Sequence, residues 1–265
     1  MEQTQIARSL LFVPGDRPER FEKAHASGAH GVIIDLEDAV LPANKLTARA
    51  ACRAWLDGGG SALVRVNALD TEWASDDLAI CGLPGVRAVV LPKTESAQGI
   101  EQALSRAGGK AAMLPLVETA AGMLNLREIA FAPGVSRLLF GTVDFCLDLG
   151  IEGDGEELAA YRAQLVLVSR AAGLLAPVDG ITLALKDEHA LRESTLSGKR
   201  IGFGGKMCIH PSQVALVNAC YQPTESQLEW ARKIVELAGR NAGAFEFEGK
   251  MVDAPVVARA RRILG

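Results

Sequence analysis

Long apolar runs are missing from this 265-residue chain. No stretch approaches the roughly 20 apolar residues that a membrane-spanning helix requires, so a membrane role is not expected. Cysteine is scarce and unpaired. Cys52, Cys81, Cys146, Cys208 and Cys220 are odd in number and form no C-x-x-C pair, which argues against a disulfide framework or a zinc site and for buried, reduced thiols. An excess of positive charge is also lacking. With 28 Lys and Arg against 32 Asp and Glu, the formal charge is −4, and no basic field exists to hold nucleic acid. Met1–Gln5 is polar, without the basic start and apolar stretch of a secretory signal, so a cytoplasmic location is expected. Neither G-x-x-x-x-G-K-[ST] nor G-x-G-x-x-G occurs, and there is no G-x-S-x-G elbow. P-loop, dinucleotide-binding and α/β-hydrolase sites therefore have no support.

What the chain does contain is a short apolar run, repeated eight times, that ends in polar or charged residues. Ser9–Val13 leads to Gly15 and Arg17, Val32–Leu36 to Glu37 and Asp38, and Ala62–Val66, carrying Arg65, to Asn67. Ala88–Leu91 ends in Pro92 and Lys93, Ala112–Val117 in Glu118, and Leu138–Gly141 leads to Asp144. Gly180–Leu183 ends weakly near Lys186 and Asp187, and Lys206–Ile209 ends in His210. The runs are continuous rather than alternating, as in strands covered on both faces. Helix-forming stretches separate most of them: 18–27, 44–56, 96–107, 119–131, 156–172, 187–196 and 211–220. Eight strand–helix units with chemistry at the strand ends predict a (β/α)₈ (TIM) barrel over 1–221, whose reactive groups gather at the C-terminal face. The 49% apolar content is ample for its core. Residues 222–265 read as a C-terminal helical extension, with a helix to about Asn241, a loop or hairpin over 243–249 and a basic helix over 256–264. A barrel closes without this extension, which is expected to pack on the barrel or at a subunit interface.

Glu118 and Asp144 follow the fifth and sixth runs and should share one barrel mouth. Two carboxylates there suit a hard divalent cation such as Mg²⁺; capping of the helices that follow is an equally good account from spacing alone. Arg65, inside an apolar strand, needs a partner. It clamps a substrate carboxylate, pairs internally with Glu37 or Asp38, or does both. Glu37 and Asp38 could hold metal-bound waters, while Asp35 satisfies backbone groups or another buried charge. Arg17, Arg20 and Lys23 are solvated surface by default, or else a rim for the phosphates of a nucleotide-tailed substrate. His210 offers acid–base chemistry, against the more ordinary role of a histidine bonded to a backbone carbonyl.

The ordered motifs Arg8–Gly15, Asp35–Val40, Val64–Asn67, Leu91–Lys93, Glu118–Gly122, Gly205–Gln213 and Gly249–Pro255 resemble the citrate lyase β-subunit-like family, relatives of the malyl-CoA and citramalyl-CoA lyases among metal-dependent aldolases. The resemblance covers nearly the whole chain. It implies a (β/α)₈ barrel, usually a homotrimer or a multiple of one. It also implies Mg²⁺ on Glu118 and Asp144, Arg65 on the carboxylate of a 2-keto acid, and Phe12, Arg17 and Lys23 along coenzyme A. Glu37 and Asp38 match an acidic pair beneath the metal. Asp253 matches an aspartate that, in related enzymes, acts as acid/base from the neighbouring subunit. Val143 and His210 fall among the substrate-binding positions. Val143 stands where the family often carries glutamate, and the chain is shorter than many stand-alone lyases, which implies a more open mouth. The implied reaction is reversible, Mg²⁺-dependent cleavage of a 3-hydroxyacyl-CoA thioester (citramalyl-, malyl- or citryl-CoA) to an acyl-CoA and a 2-keto acid. A CoA-independent pyruvate aldolase and a lyase subunit dependent on a carrier protein, or inert as a scaffold, are the alternatives.

Overall fold

The computed structural model describes residues 7–241 and 243–265. The reading of Met1–Gln5 therefore lies outside the described residues. The chain forms two compact units that divide between Tyr221 and Gln222.

In the first unit, eight parallel strands close a barrel in sequence order. They are β1 (Ser9–Pro14), β2 (Gly31–Asp35), β3 (Ala62–Arg65), β4 (Val86–Leu91), β5 (Met113–Val117), β6 (Arg137–Phe140), β7 (Leu175–Asp179) and β8 (Gly205–Cys208). Closure joins β1 to β8 through Ser9↔Lys206, Leu10↔Met207 and Leu11↔Cys208. Because strand side chains alternate between faces, each strand feeds two cores. Leu10, Ile33, Leu63, Val90, Leu116 and Met207 fill the barrel interior. Leu11, Ile34, Val64, Val89, Val117 and Cys208 pack outward in the larger layer beneath the helices. Burial pushes the Cys52 and Cys208 thiols up to about 12, as expected of inert core thiols.

Seven of the eight runs overlap the observed strands. The seventh does not: β7 is Leu175–Asp179, and Gly180–Leu183 follows it as loop. Pro177 inside β7 masks the strand, and the apolar residues beyond Gly180 imitate one. Two helices were not foreseen, Ala74–Ile80 and Thr142–Leu149. The stretch 119–131 is two helices, Ala120–Leu124 and Leu126–Phe131, meeting at Asn125. The helix after β7, Glu188–Ile201, starts at its Asp187 cap but runs beyond the expected Leu196. Among the described residues, no helix is long and apolar enough to cross a membrane.

The second unit consists of a helix (Glu225–Ala238), an antiparallel hairpin and a final helix (Ala254–Leu264). The first helix opens on a capping box at Thr224 and Gln227. The hairpin pairs β9 (Phe245–Phe247) with β10 (Lys250–Val252). Ala231, Ile234, Val252 and Ala260 form the unit's own small core.

Candidate active site

Alternation along the strands delivers the site. Phe12 lies two residues beyond Leu10, Asp35 two beyond Ile33, Arg65 two beyond Leu63 and Glu118 two beyond Leu116. Each therefore points the same way as an interior core residue, at the end where a barrel's reactive groups collect. Together with Asp38, Val143 and Asp144 they line one cavity of about 440 Å³.

On the β2–β3 side, Asp35 and Arg65 are register partners, and this decides the fate of the arginine. Its Nε and Nη2 donate to the two Asp35 oxygens at 2.7 and 2.6 Å. Asp35 also accepts from the Glu37 and Ala39 backbone amides. The other edge of the guanidinium lies near acid without hydrogen-bond geometry, with Nη1 3.0 Å from Glu37 Oε2 and 3.7 Å from Asp38 Oδ2. Phe12 stacks 4.8 Å from the guanidinium carbon. Burial works against the Arg65 cation, but Asp35, Glu37 and Asp38 outweigh it and hold the guanidinium charged. Glu37 is buried, and its Oε1 accepts from Lys93 Nζ at 3.1 Å. Burial raises its pKa, with Arg65 and Lys93 opposing.

On the β5–β6 side the balance is different. Glu118 does not cap the helix that follows; Thr119 does, accepting from Gly122 N. Instead Glu118 Oε1 accepts from the Lys93 backbone amide at 2.7 Å. Lys93 adopts φ 45°, a left-handed conformation unusual for a residue with a side chain, and this aims its N–H at the carboxylate. Glu118 is only 2% exposed and has no cation of its own. Burial first, then the charges of Glu37 and Asp144, push it up to about 8. Asp144 sits in the first turn of the helix Thr142–Leu149, where the helix dipole favours its charge. No hydrogen bond engages it among the described residues. Gly141 is required beside this pair, because a Cβ there would strike Glu118 Oε2.

The remaining sequence-predicted residues lie elsewhere. Phe12 and Ile209 also line an adjoining cavity of about 370 Å³ with Arg20, Lys23 and His210. Arg17 is exposed at the start of a short turn and lines neither cavity. His210 Nδ1 pairs with the Ser212 hydroxyl at 2.7 Å and accepts from Ser212 N, so its partner is a serine rather than a backbone carbonyl. Asp253 belongs to the second unit, where it caps the final helix by accepting from Val256 N. Sequence reasoning had Lys93 only as a strand end, and left out Leu116, Ile181 and Met207, which also line the main cavity. Period-2 counting from Leu114 would have found Leu116.

The donor chemistry fits a hard cation. Of the carboxylates that line the cavity, Glu118 and Asp144 have no ion-pair partner among the described residues, and such a pair leaves coordination positions for water and substrate oxygens. Among the described residues, no cluster of three or more His, Cys, Asp or Glu side chains is arranged as a ready-made metal cage.

Interior carboxylates and one stacked arginine at the mouth of a (β/α)₈ barrel define the type of site found in aldolases and lyases. Residues 8–211 match the model of the HpcH/HpaI aldolase/citrate lyase family, and residues 173–265 match a model described as a C–C bond lyase of the TIM-barrel fold. The chain belongs to the HpcH/HpaI aldolase/citrate lyase family and is thus an enzyme of the carbon–carbon lyase class. It is 37% identical to a citrate lyase subunit beta-like protein of Deinococcus radiodurans, over 98% of this chain and 96% of that one. It is 35% identical to a (3S)-malyl-CoA thioesterase of Cereibacter sphaeroides, over 99% and 95% of the two chains. Among solved structures, CitE of Mycobacterium tuberculosis in complex with magnesium, acetoacetate and coenzyme A superposes with a TM-score of 0.88. That match has 34% identity and covers 98% of both chains. A citrate lyase beta subunit of the same organism, complexed with oxaloacetate and magnesium, gives a TM-score of 0.74 at 32% identity, over 84% of this chain and all of that one.

Proposed function

We propose that the cavity carries out reversible, Mg²⁺-dependent cleavage of a 3-hydroxyacyl-CoA thioester to an acyl-CoA and a 2-keto acid. The observation that carries this reading is Glu118, a buried carboxylate with no ion-pair partner among the described residues, sharing one cavity with Asp144 and Arg65. Glu118 and Asp144 hold the ion. When bound, Mg²⁺ supplies a Lewis acid for the oxygen on the carbon to be cleaved. Arg65, immobilised by Asp35 and stacked on Phe12, presents its remaining edge to the substrate carboxylate. Glu37 and Asp38 flank that edge. Asp38, the more exposed of the two, takes the 3-hydroxyl proton. The C2–C3 bond then breaks, and its electron pair passes to the thioester as an enolate. Asp253, reaching the mouth from a second copy in a trimer, returns a proton to C2 and completes the acyl-CoA. Phe12, Lys23 and His210 lie along the adjoining cavity, which suits the coenzyme A arm; Arg17 meets its outer end.

The experiment is turnover of purified protein on malyl-, citramalyl- and citryl-CoA beside free 2-keto-4-hydroxy acids, with and without EDTA. Mg²⁺-dependent release of an acyl-CoA together with a 2-keto acid is expected. Free CoA without a keto acid would mark thioester hydrolysis instead, cleavage of the free acids alone would mark a CoA-independent aldolase, and undiminished turnover in EDTA would remove the metal. If Asp253 acts from a second copy, mixing Asp253→Ala with Arg65→Ala protein should restore part of the activity. No recovery after demonstrated subunit exchange would refute that step.

A further inference from the structure

The reaction cavity is chemically lopsided. Its charged lining is four carboxylates, Asp35, Asp38, Glu118 and Asp144, and a single cation, Arg65. Two of the five guanidinium hydrogens are already spent on Asp35. Apart from the neutral Thr142 hydroxyl, the rest of the wall is apolar, including Phe12, Leu116, Val143, Ile181 and Met207. Leu116 and Met207 are buried. Val143, immediately before Asp144 and 42% exposed, leaves an apolar side chain facing water at the rim.

A 2-keto acid brings one carboxylate and one keto oxygen, and these are enough to use the bound cation and the edge of Arg65 that makes no hydrogen bond to Asp35. A second carboxylate would find no lining cation. It would lie against aliphatic side chains and near acids, and so lose hydration without gaining a partner. An alkyl group in the same place would cover the exposed Val143 side chain and remove apolar surface from water. We infer that this site selects a keto-acid half bearing one carboxylate and a small alkyl group over one bearing a second carboxylate, and that Val143 sets this preference. The inference rests on the lyase reading above, and it departs from the citrate name that relatives carry.

Calorimetry in the presence of Mg²⁺ tests it without turnover. Pyruvate and 2-oxobutyrate are expected to bind at least about tenfold tighter than oxaloacetate, since a partly desolvated, unpaired carboxylate is disfavoured on that scale. Val143→Arg, at an exposed position in the first turn of its helix, should narrow or invert the ratio by giving the second carboxylate a cation. Val143→Ala should weaken the alkyl acids and leave oxaloacetate unchanged. Oxaloacetate binding as tightly as pyruvate, no binding of any of the three acids, or a ratio unmoved by Val143→Arg would overturn the inference. The two readings separate cleanly. A retained binding ratio with no thioester cleavage sinks the lyase reading alone. Equal cleavage of citryl- and citramalyl-CoA with equal keto-acid affinities sinks the selectivity alone.

Discussion

The two sides of the barrel mouth are built from the same materials to opposite ends. On the β2–β3 side, acid and base are matched. Asp35 fills one edge of Arg65 and two backbone amides, and Lys93 answers Glu37. On the β5–β6 side Glu118 has a single backbone donor and no cation, and Asp144 has no hydrogen bond at all among the described residues. The matched side holds Arg65 in place, with one edge tied to Asp35 and the other turned toward Glu37 and Asp38. The unmatched side leaves Glu118 to be neutralised by a proton or by a bound cation. Interior charges are ordinarily paired, so the place where pairing fails is where a visitor is expected.

The comparison breaks most visibly at the unmatched side. Glu118→Gln or Asp144→Ala should lower kcat by at least about 10²–10³-fold, the scale for losing one group that stabilises developing charge, in steady-state assays across a Mg²⁺ titration. Stability should respond in the reverse order. Asp35→Ala strands a buried guanidinium and is expected to cost about 3–5 kcal/mol in urea unfolding, whereas Glu118→Gln should leave the metal-free protein as stable or more so. Arg65→Lys keeps the charge but loses both the paired edge and the stacking on Phe12. A fall of about tenfold in kcat/KM is expected, on the scale of the ionic hydrogen bond that goes with the lost edge, and unchanged kinetics would mean that Arg65 only holds Asp35. The smallest effect is a pH slope. Glu118 titrates near 8 in the metal-free fold against 4.5 for a free glutamate, so the native state holds its proton more tightly than the unfolded chain does. Metal-free stability should therefore fall as pH rises from about 4.5 to about 8 and level off above. Glu118→Gln should flatten this slope in urea midpoints measured across that range.

The barrel was legible because its eight-fold rhythm survives local noise. Continuous apolar runs such as Val32–Ile34 mark strands covered on both faces, and the polar residue closing each run marks the mouth. The seventh run failed because Pro177 sits inside β7 and a hydrophobic loop follows it; propensity and burial point to neighbouring segments there, and only closure against β6 and β8 chooses between them. The family motifs picked out Arg65, Glu118 and Asp144, which do share a cavity. Their partners were harder to see. Arg65 does lie beside Glu37 and Asp38, the acids that follow the second strand, but its hydrogen-bonded partner is Asp35, which only cross-strand register reveals. Lys93 was invisible as Glu118's holder because the contact is made by a main-chain atom, and one-letter codes do not record backbone angles. Asp253 lies in the second unit, and the proposal that it acts from a second copy comes from the family motif, not from any pattern within the chain.

That main-chain contact has an evolutionary corollary. A glutamate gripped by a side chain can be set loose by replacing the gripping residue. One gripped by a peptide N–H stays held whatever side chain is mounted there, so long as the chain keeps its path around the corner at φ 45°. As far as Glu118 is concerned, position 93 could carry any side chain but proline's, with glycine the most easily accommodated, and the lysine there is tied instead by its ammonium to Glu37; an insertion or deletion in the Pro92–Thr94 bend would disarm the site without touching a single acidic residue.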